Sequence, residues 1–186
     1  IKRIKAMREV RKAAAGWSIG AAVSCAELGE NKALRKAWPG VVEAANLIGS
    51  KQVQGRCTIS GNLCNAGPAA DSVPAMVAAG AKAVIQGPKG KRTVPVEDIP
   101  VGPGKTSLEK GELVEAILLP ARKPKSGDAY LRFIPRSEMD IAVVSAGVNL
   151  TIDGTGVVTS ARVALGAAAP TVLLVAAAAK AIIGTK

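Results

Sequence analysis

Hydrophobic and polar residues alternate most cleanly near the end of the chain. Across residues 142–152, Val144, Ala146, Val148, Leu150 and Ile152 face one way, and Ser145, Gly147, Asn149 and Thr151 face the other. Asp153-Gly154 makes a turn, and residues 157–165 alternate back, so the pattern predicts an antiparallel hairpin with one buried face. Residues 128–134 read as a further strand. Pro170-Thr171 opens a helix that runs through Ile183 and stops at Gly184.

The first two thirds of the chain follow other periods. Ile4, Met7 and Val10 sit at near-helical spacing among Lys2, Arg3, Lys5, Arg8, Arg11 and Lys12, which reads as a basic patch or as a solvated segment. Residues 17–23 alternate loosely as a strand. Ser24, with Glu27 three residues on, forms a capping-box pattern for a helix over 25–29, and 32–37 continues helically. Pro39-Gly40 opens a helix over 41–48 with Val41, Ala44, Ala45 and Ile48 on one face, ended by Gly49-Ser50. Residues 51–56 lead into a small, polar loop over 58–71. Asp71-Ser72 caps the next helix, with Pro74 in its first turn and Gly80 at its end. Residues 81–86 and 91–96 flank Gly87-Pro88-Lys89-Gly90 as a β-hairpin. The spacing of those four residues is not that of a phosphate loop. A Pro/Gly loop covers 97–111, a strand covers 112–119, and the basic stretch 121–127 is the domain boundary. Strands followed by a helix on one face give an α+β class.

Composition narrows the chemistry. The chain has 186 residues, 48% hydrophobic but only 2% aromatic, so its core is built from Ala, Val, Leu and Ile. A formal net charge of +11 suits nucleic acid, an anionic surface, an acidic partner or a polyanionic cofactor. One Phe, one Tyr and two Trp leave few platforms for base stacking. With no histidine, imidazole catalysis and His–metal sites are excluded. Cys25, Cys57 and Cys64 make no CxxC pair and read as small reduced thiols, which fits a cytoplasmic setting. No signal-peptide pattern is visible. The apolar run 163–179 contains Gly166 and Pro170 and is short for a membrane span; it reads as strand, turn and buried helix.

The candidate site is Thr58-Ile59-Ser60-Gly61-Asn62, continuing to Asp71. Such a loop admits a ligand close to the backbone, and Asn62 and Asp71 can orient it. The same residues can equally make a tight turn and a helix cap. Arg136 and Asp140 read as a structural ion pair rather than a catalytic one.

Thr58 to Asn62, with Asn65-Ala66, Pro68-Ala69-Ala70-Asp71 and Pro74-Ala75, resembles the flavin-binding segment of the molybdenum hydroxylases, the xanthine dehydrogenase and aerobic carbon monoxide dehydrogenase family. Two further stretches resemble the same FAD-binding medium subunit: Tyr130 to Val144, with Arg136 and Asp140-Ile141-Ala142, and Ala161 to Gly166 with Ala169-Pro170-Thr171. The resemblance implies an FAD-binding PCMH-type domain over 1–122 and a CO-dehydrogenase-flavoprotein-like C-terminal domain over 128–186. It also implies a preceding subdomain with a glycine-rich loop for the pyrophosphate, and a C-terminal domain that continues past this sequence. By the same resemblance Thr58, Ile59, Ser60, Gly61 and Asn62 contact FAD. Asp71 is the acidic residue after the loop, Val114 a backbone contact, Arg132 the basic residue of a Tyr-x-Lys pattern, and Ile48 a packing position. Ser60 stands where the family usually has Gly, so its φ is negative there or the loop is shifted. Arg132 replaces Lys, keeping the charge but changing its geometry. Positive charge near the flavin favours its anionic reduced form.

The implied function is electron transfer within a dimer of heterotrimers. A large subunit with a molybdenum cofactor oxidises substrate, and two-iron clusters in a small iron–sulfur subunit carry electrons to FAD here and on to an external acceptor. Neither nucleic acid nor a membrane span belongs to this reading. A flavoenzyme of the cell-wall amino-sugar reductase type would lack the second and third stretches. The remaining alternative is a basic non-enzymatic α/β module that binds nucleic acid or an acidic partner.

Overall fold

The computed structural model describes residues 1–137 and 139–186. Glu138, inside the Tyr130 to Val144 pattern, lies outside the described residues. The first segment is not a helix. A single 3-10 turn, Lys5–Arg8, carries Met7 into the core, and the chain then enters β1 (Val10–Ala13). β1 pairs with β2 (Gly16–Gly20) in antiparallel register, Arg11 opposite Ser18 and Lys12 opposite Trp17. The backbone partner a few residues on, which periodicity does not reveal, decides this segment.

Short capped helices follow. α1 (Cys25–Glu30) has the expected capping box: the Ser24 hydroxyl accepts from Glu27 N–H while Glu27 accepts from Ser24 N–H. Asn31 caps α2 (Lys32–Ala37), and Pro39 opens α3 (Pro39–Asn46), whose Val41, Ala44 and Ala45 are fully buried. Gly49, at φ +54°, turns the chain. α4 (Lys51–Gln54) and α5 (Ile59–Cys64) are short helices capped by Ser50 and Thr58. Both were expected as loop. Side-chain caps start both, and in α5 the Thr58 cap offsets the low helix propensity of Ser60, Gly61 and Asn62. α6 (Ser72–Ala79) is buried at all 8 positions and ends at Gly80, which adopts φ +69°.

Two antiparallel sheets frame these helices. β3 (Lys82–Gly87) and β4 (Gly90–Pro95) form the expected hairpin. β5 (Pro100–Gly102) and β6 (Lys105–Thr106) are a small ribbon inside the Pro/Gly loop. β7 (Leu113–Pro120) runs through the middle of the first sheet, whose order is β1-β2-β7-β3-β4. The second sheet comprises β8 (Ser126–Phe133), β9 (Val144–Ile152), β10 (Val158–Gly166) and β11 (Leu173–Leu174), ordered β11-β10-β9-β8. The final helix, α7 (Ala176–Ile182), is shorter than expected because 173–174 pair with β10 first. It is also not a buried helix, since Ala179 alone of its residues is buried.

α6 lies across the second sheet and α3 packs beside it on β8. The alternation in β9 is real, but the face turned to α6 is the small one. Ser145 and Gly147 are buried, whereas Val144 is exposed and the rest of the aliphatic row is half-buried. Close approach explains this: a Cβ on Gly147 would overlap the Pro74 carbonyl, and one on Gly166 would lie 2.7 Å from Pro74 Cγ. Asp128, on β8, reaches back to accept from Val41 N–H at 3.1 Å, so the second sheet caps α3 of the first unit. Arg122 holds the other oxygen of Asp128 at 2.8 Å and lies over the Trp38 ring, 4.2 Å from its centroid. Among the described residues, no helix is long and apolar enough to cross a membrane.

Candidate functional site

Thr58 caps α5 and Ile59 to Asn62 form its first turn, in which Asn62 N–H is spent on Thr58 C=O. The Thr58 hydroxyl accepts from Gly61 N–H at 2.8 Å. Ser60 has the negative φ of a helical residue, not the positive φ its usual glycine would allow. It is buried, and its hydroxyl has no hydrogen-bond partner. Gly61 is exposed, and a Cβ there would meet only its own cap, Thr58 Oγ1, at 3.1 Å. The outer face of α5 is therefore bare backbone that a planar or anionic group can approach.

Asn62 ties α5 to α6. Its Oδ1 accepts from Ser72 N–H at 3.1 Å and from Ser72 Oγ–H at 2.7 Å, which leaves the Nδ2 amide as a donor. Asp71 stands next to this junction at the N-cap position, yet its side chain does not cap α6. The sequence explains why. The third helical residue is Pro74, which has no N–H to give, Val73 N–H already donates to Ala70 C=O, and Ser72 N–H is taken by Asn62.

The Asp71 carboxylate turns instead to β8. Oδ1 accepts from Tyr130 Oη–H at 2.9 Å and Oδ2 from Arg132 Nη1–H at 3.0 Å. Two residues apart on a strand, Tyr130 and Arg132 share a face, and it is the face turned to α6, since they sit opposite Gly147 and Ser145. The ion pair is largely withdrawn from solvent, with side chains 9% and 12% exposed. Burial pushes the Asp71 carboxyl above its ordinary range, against the Tyr130 hydrogen bond and the Arg132 charge. Burial likewise pushes the Tyr130 phenol up, with Ser145 opposing and Asp71 adding.

The structure thus joins Thr58, Gly61, Asn62, Asp71 and Arg132 in one chain of contacts spanning both units. Val114 is buried on β7, a strand that α5 packs against. Ile48 is half-buried against the core beyond the end of α3, and its carbonyl accepts from Gln54 Nε2–H at 3.2 Å; no hydrogen bond joins it to the cluster. Tyr130 was not singled out as a site residue. Its signal was available, since alternation in β8 places it on the Arg132 face. Arg136 pairs with Asp140 through two hydrogen bonds of 3.1 and 3.2 Å on an exposed loop, a local structural pair. A cavity of about 660 Å³ between α1, α2, α3 and α4 contains none of the cluster.

The model of the FAD binding domain in molybdopterin dehydrogenase matches residues 1–122. The chain belongs to that family. Residues 129–186 also match the CO dehydrogenase flavoprotein C-terminal domain. The chain is 34% identical over 154 residues to the putative xanthine dehydrogenase FAD-binding subunit of Escherichia coli K12, covering 82% of this chain and 52% of that protein. It is 33% identical over 173 residues to the carbon monoxide dehydrogenase medium chain of Hydrogenophaga pseudoflava, covering 93% and 60%. Reconstituted CO dehydrogenase from Oligotropha carboxidovorans superposes with a TM-score of 0.94 at 32% identity, over 100% of this chain and 64% of that one. The chain therefore spans about half the length of the curated relatives it matches.

Proposed function

We propose that this chain is the FAD-holding part of an electron-transfer flavoprotein subunit in a molybdenum-containing dehydrogenase. One observation carries the reading: in a chain of this family, a glycine-bared helical turn, a free amide and a buried Asp–Arg pair converge from two units. When bound, FAD supplies reversible one- and two-electron chemistry at its isoalloxazine ring. The residues present fit it. Gly61 leaves room against the backbone, and Asn62 Nδ2 is a free donor. The buried Ser60 hydroxyl is a polar group without a partner. Asp71 suits a sugar hydroxyl or a ring N–H, and Arg132, with donors to spare beyond Nη1, places positive charge beside it. Ile48 and Val114 would pack on the cofactor.

The partners are a large molybdenum-cofactor subunit and a small iron–sulfur subunit, in a dimer of heterotrimers. The net charge of +11 suits acidic faces on them. The deciding test is the visible spectrum of the intact subunit with its co-purifying chains, with mass identification of any released cofactor. A flavin spectrum and released FAD are expected. A colourless protein that takes up no FAD, with salt-sensitive retention on nucleic acid, would replace this reading with that of a basic binding module.

A further inference from the structure

Asp71 cannot be oriented by its own helix, because Pro74, Ala70 and Asn62 between them remove every N–H it could cap. Two groups from the second sheet remain, and they differ in kind. Arg132 is a long side chain with five donors, one of which it gives to Asp71 Oδ2. Tyr130 has a ring fixed in the core, 1% exposed, and a single hydroxyl proton, which points at Asp71 Oδ1. A cofactor group that donates to Oδ2 competes with Arg132 and leaves the Tyr130 bond untouched.

We infer that Tyr130 is the positioning residue for the cofactor site: its hydroxyl holds the Asp71 carboxylate at one oxygen so that the other is presented to FAD. The inference rests on the cofactor reading above and adds that the site is set by the second sheet. Tyr130 touches no cofactor. It acts through Asp71 alone.

The test uses the intact subunit with its co-purifying chains, stripped of flavin and titrated with FAD across pH. Tyr130→Phe removes one oxygen and is expected to raise the FAD Kd about tenfold, the loss of one hydrogen bond to a charged group. It also moves the acid limb of FAD binding to higher pH, since that hydrogen bond, together with Arg132, restrains the upward shift of Asp71. A purely structural bond would lower the melting temperature and leave that limb in place. In an Asp71→Asn background, Tyr130→Phe is expected to change the Kd less than about twofold. Tyr130→Phe alone keeps the Asp71–Arg132 pair, so it can be measured even if Asp71→Asn, which takes the counter-charge from the buried Arg132, fails to fold. An additive loss there, or an unchanged Kd and acid limb in Tyr130→Phe while Asp71→Asn weakens binding, overturns the role of Tyr130 and leaves the cofactor site standing. No FAD binding by the wild type, or binding indifferent to Asp71→Asn, overturns both.

Discussion

At the scale of single residues, side chains that sequence assigns to a ligand turn out to hold the protein together as well. Asn62 is the example, with one end joined to Ser72 and the other free. Asn62→Ala is therefore expected to lower FAD content and also to destabilise the fold by ~1 kcal/mol, since a part-buried N–H loses its acceptor. Flavin content and chemical denaturation measure the two effects separately. Away from the site, Glu112 offers a pH test. Two hydrogen bonds from Arg92, at 2.8 and 2.7 Å, and one from Glu109 N–H bring its carboxyl down to about 2. Because the folded value lies below the ordinary one, this contribution to stability is complete above pH 4.5 and fades as pH falls toward 2. Carboxyl NMR is expected to show a low titration in the native protein and a return toward the ordinary value in Arg92→Gln.

At the scale of elements, what could be read in advance depended on whether the deciding partner was near in sequence. The capping box of α1 and the turn between β3 and β4 are local, and both appear where the residues placed them. The helical nature of 59–64 was written in Thr58 and Gly61, but the glycines of a binding loop look the same. β1 was obscured because its strand character comes from pairing, not from period. The buried face of β9 was obscured for another reason: hydrophobicity favours Val144 and Val148, while close packing of α6 selects Ser145 and Gly147. Gly147→Val tests that account. The added side chain must displace backbone at Pro74, so a loss of about 1–3 kcal/mol is expected in thermal or denaturant unfolding. At Val148, on the opposite face, Val148→Thr is expected to cost less. As for the cofactor cluster, the family pattern named Asp71 and Arg132, but only the fold shows that they meet each other and Tyr130.

At the scale of the whole molecule, the second sheet is joined to α3 by charge as well as by packing. Asp128 caps α3 from β8 and is clamped by Arg122, which also covers Trp38. Asp128 is 3% exposed, so Asp128→Ala leaves the part-buried Arg122 unpaired and is expected to cost about 3 kcal/mol. The expected reading is a lower, broader melt with Trp38 emission shifted toward the red as its ring loses cover. A sharp melt at the wild-type temperature would count against the junction. α6 sets a different limit, on how the molecule can be divided. It has no outward side: the neighbours of one flank lie in the first matched segment, and those of the other lie in the second. A protein engineer cutting after residue 122 to make a minimal flavin carrier would strip α6 of one wall. That product is expected to aggregate and to bind hydrophobic dyes, while 1–186 stays dispersed. The shortest portable form of this site must carry both sheets, although all but one of its proposed contacts come from the first matched segment.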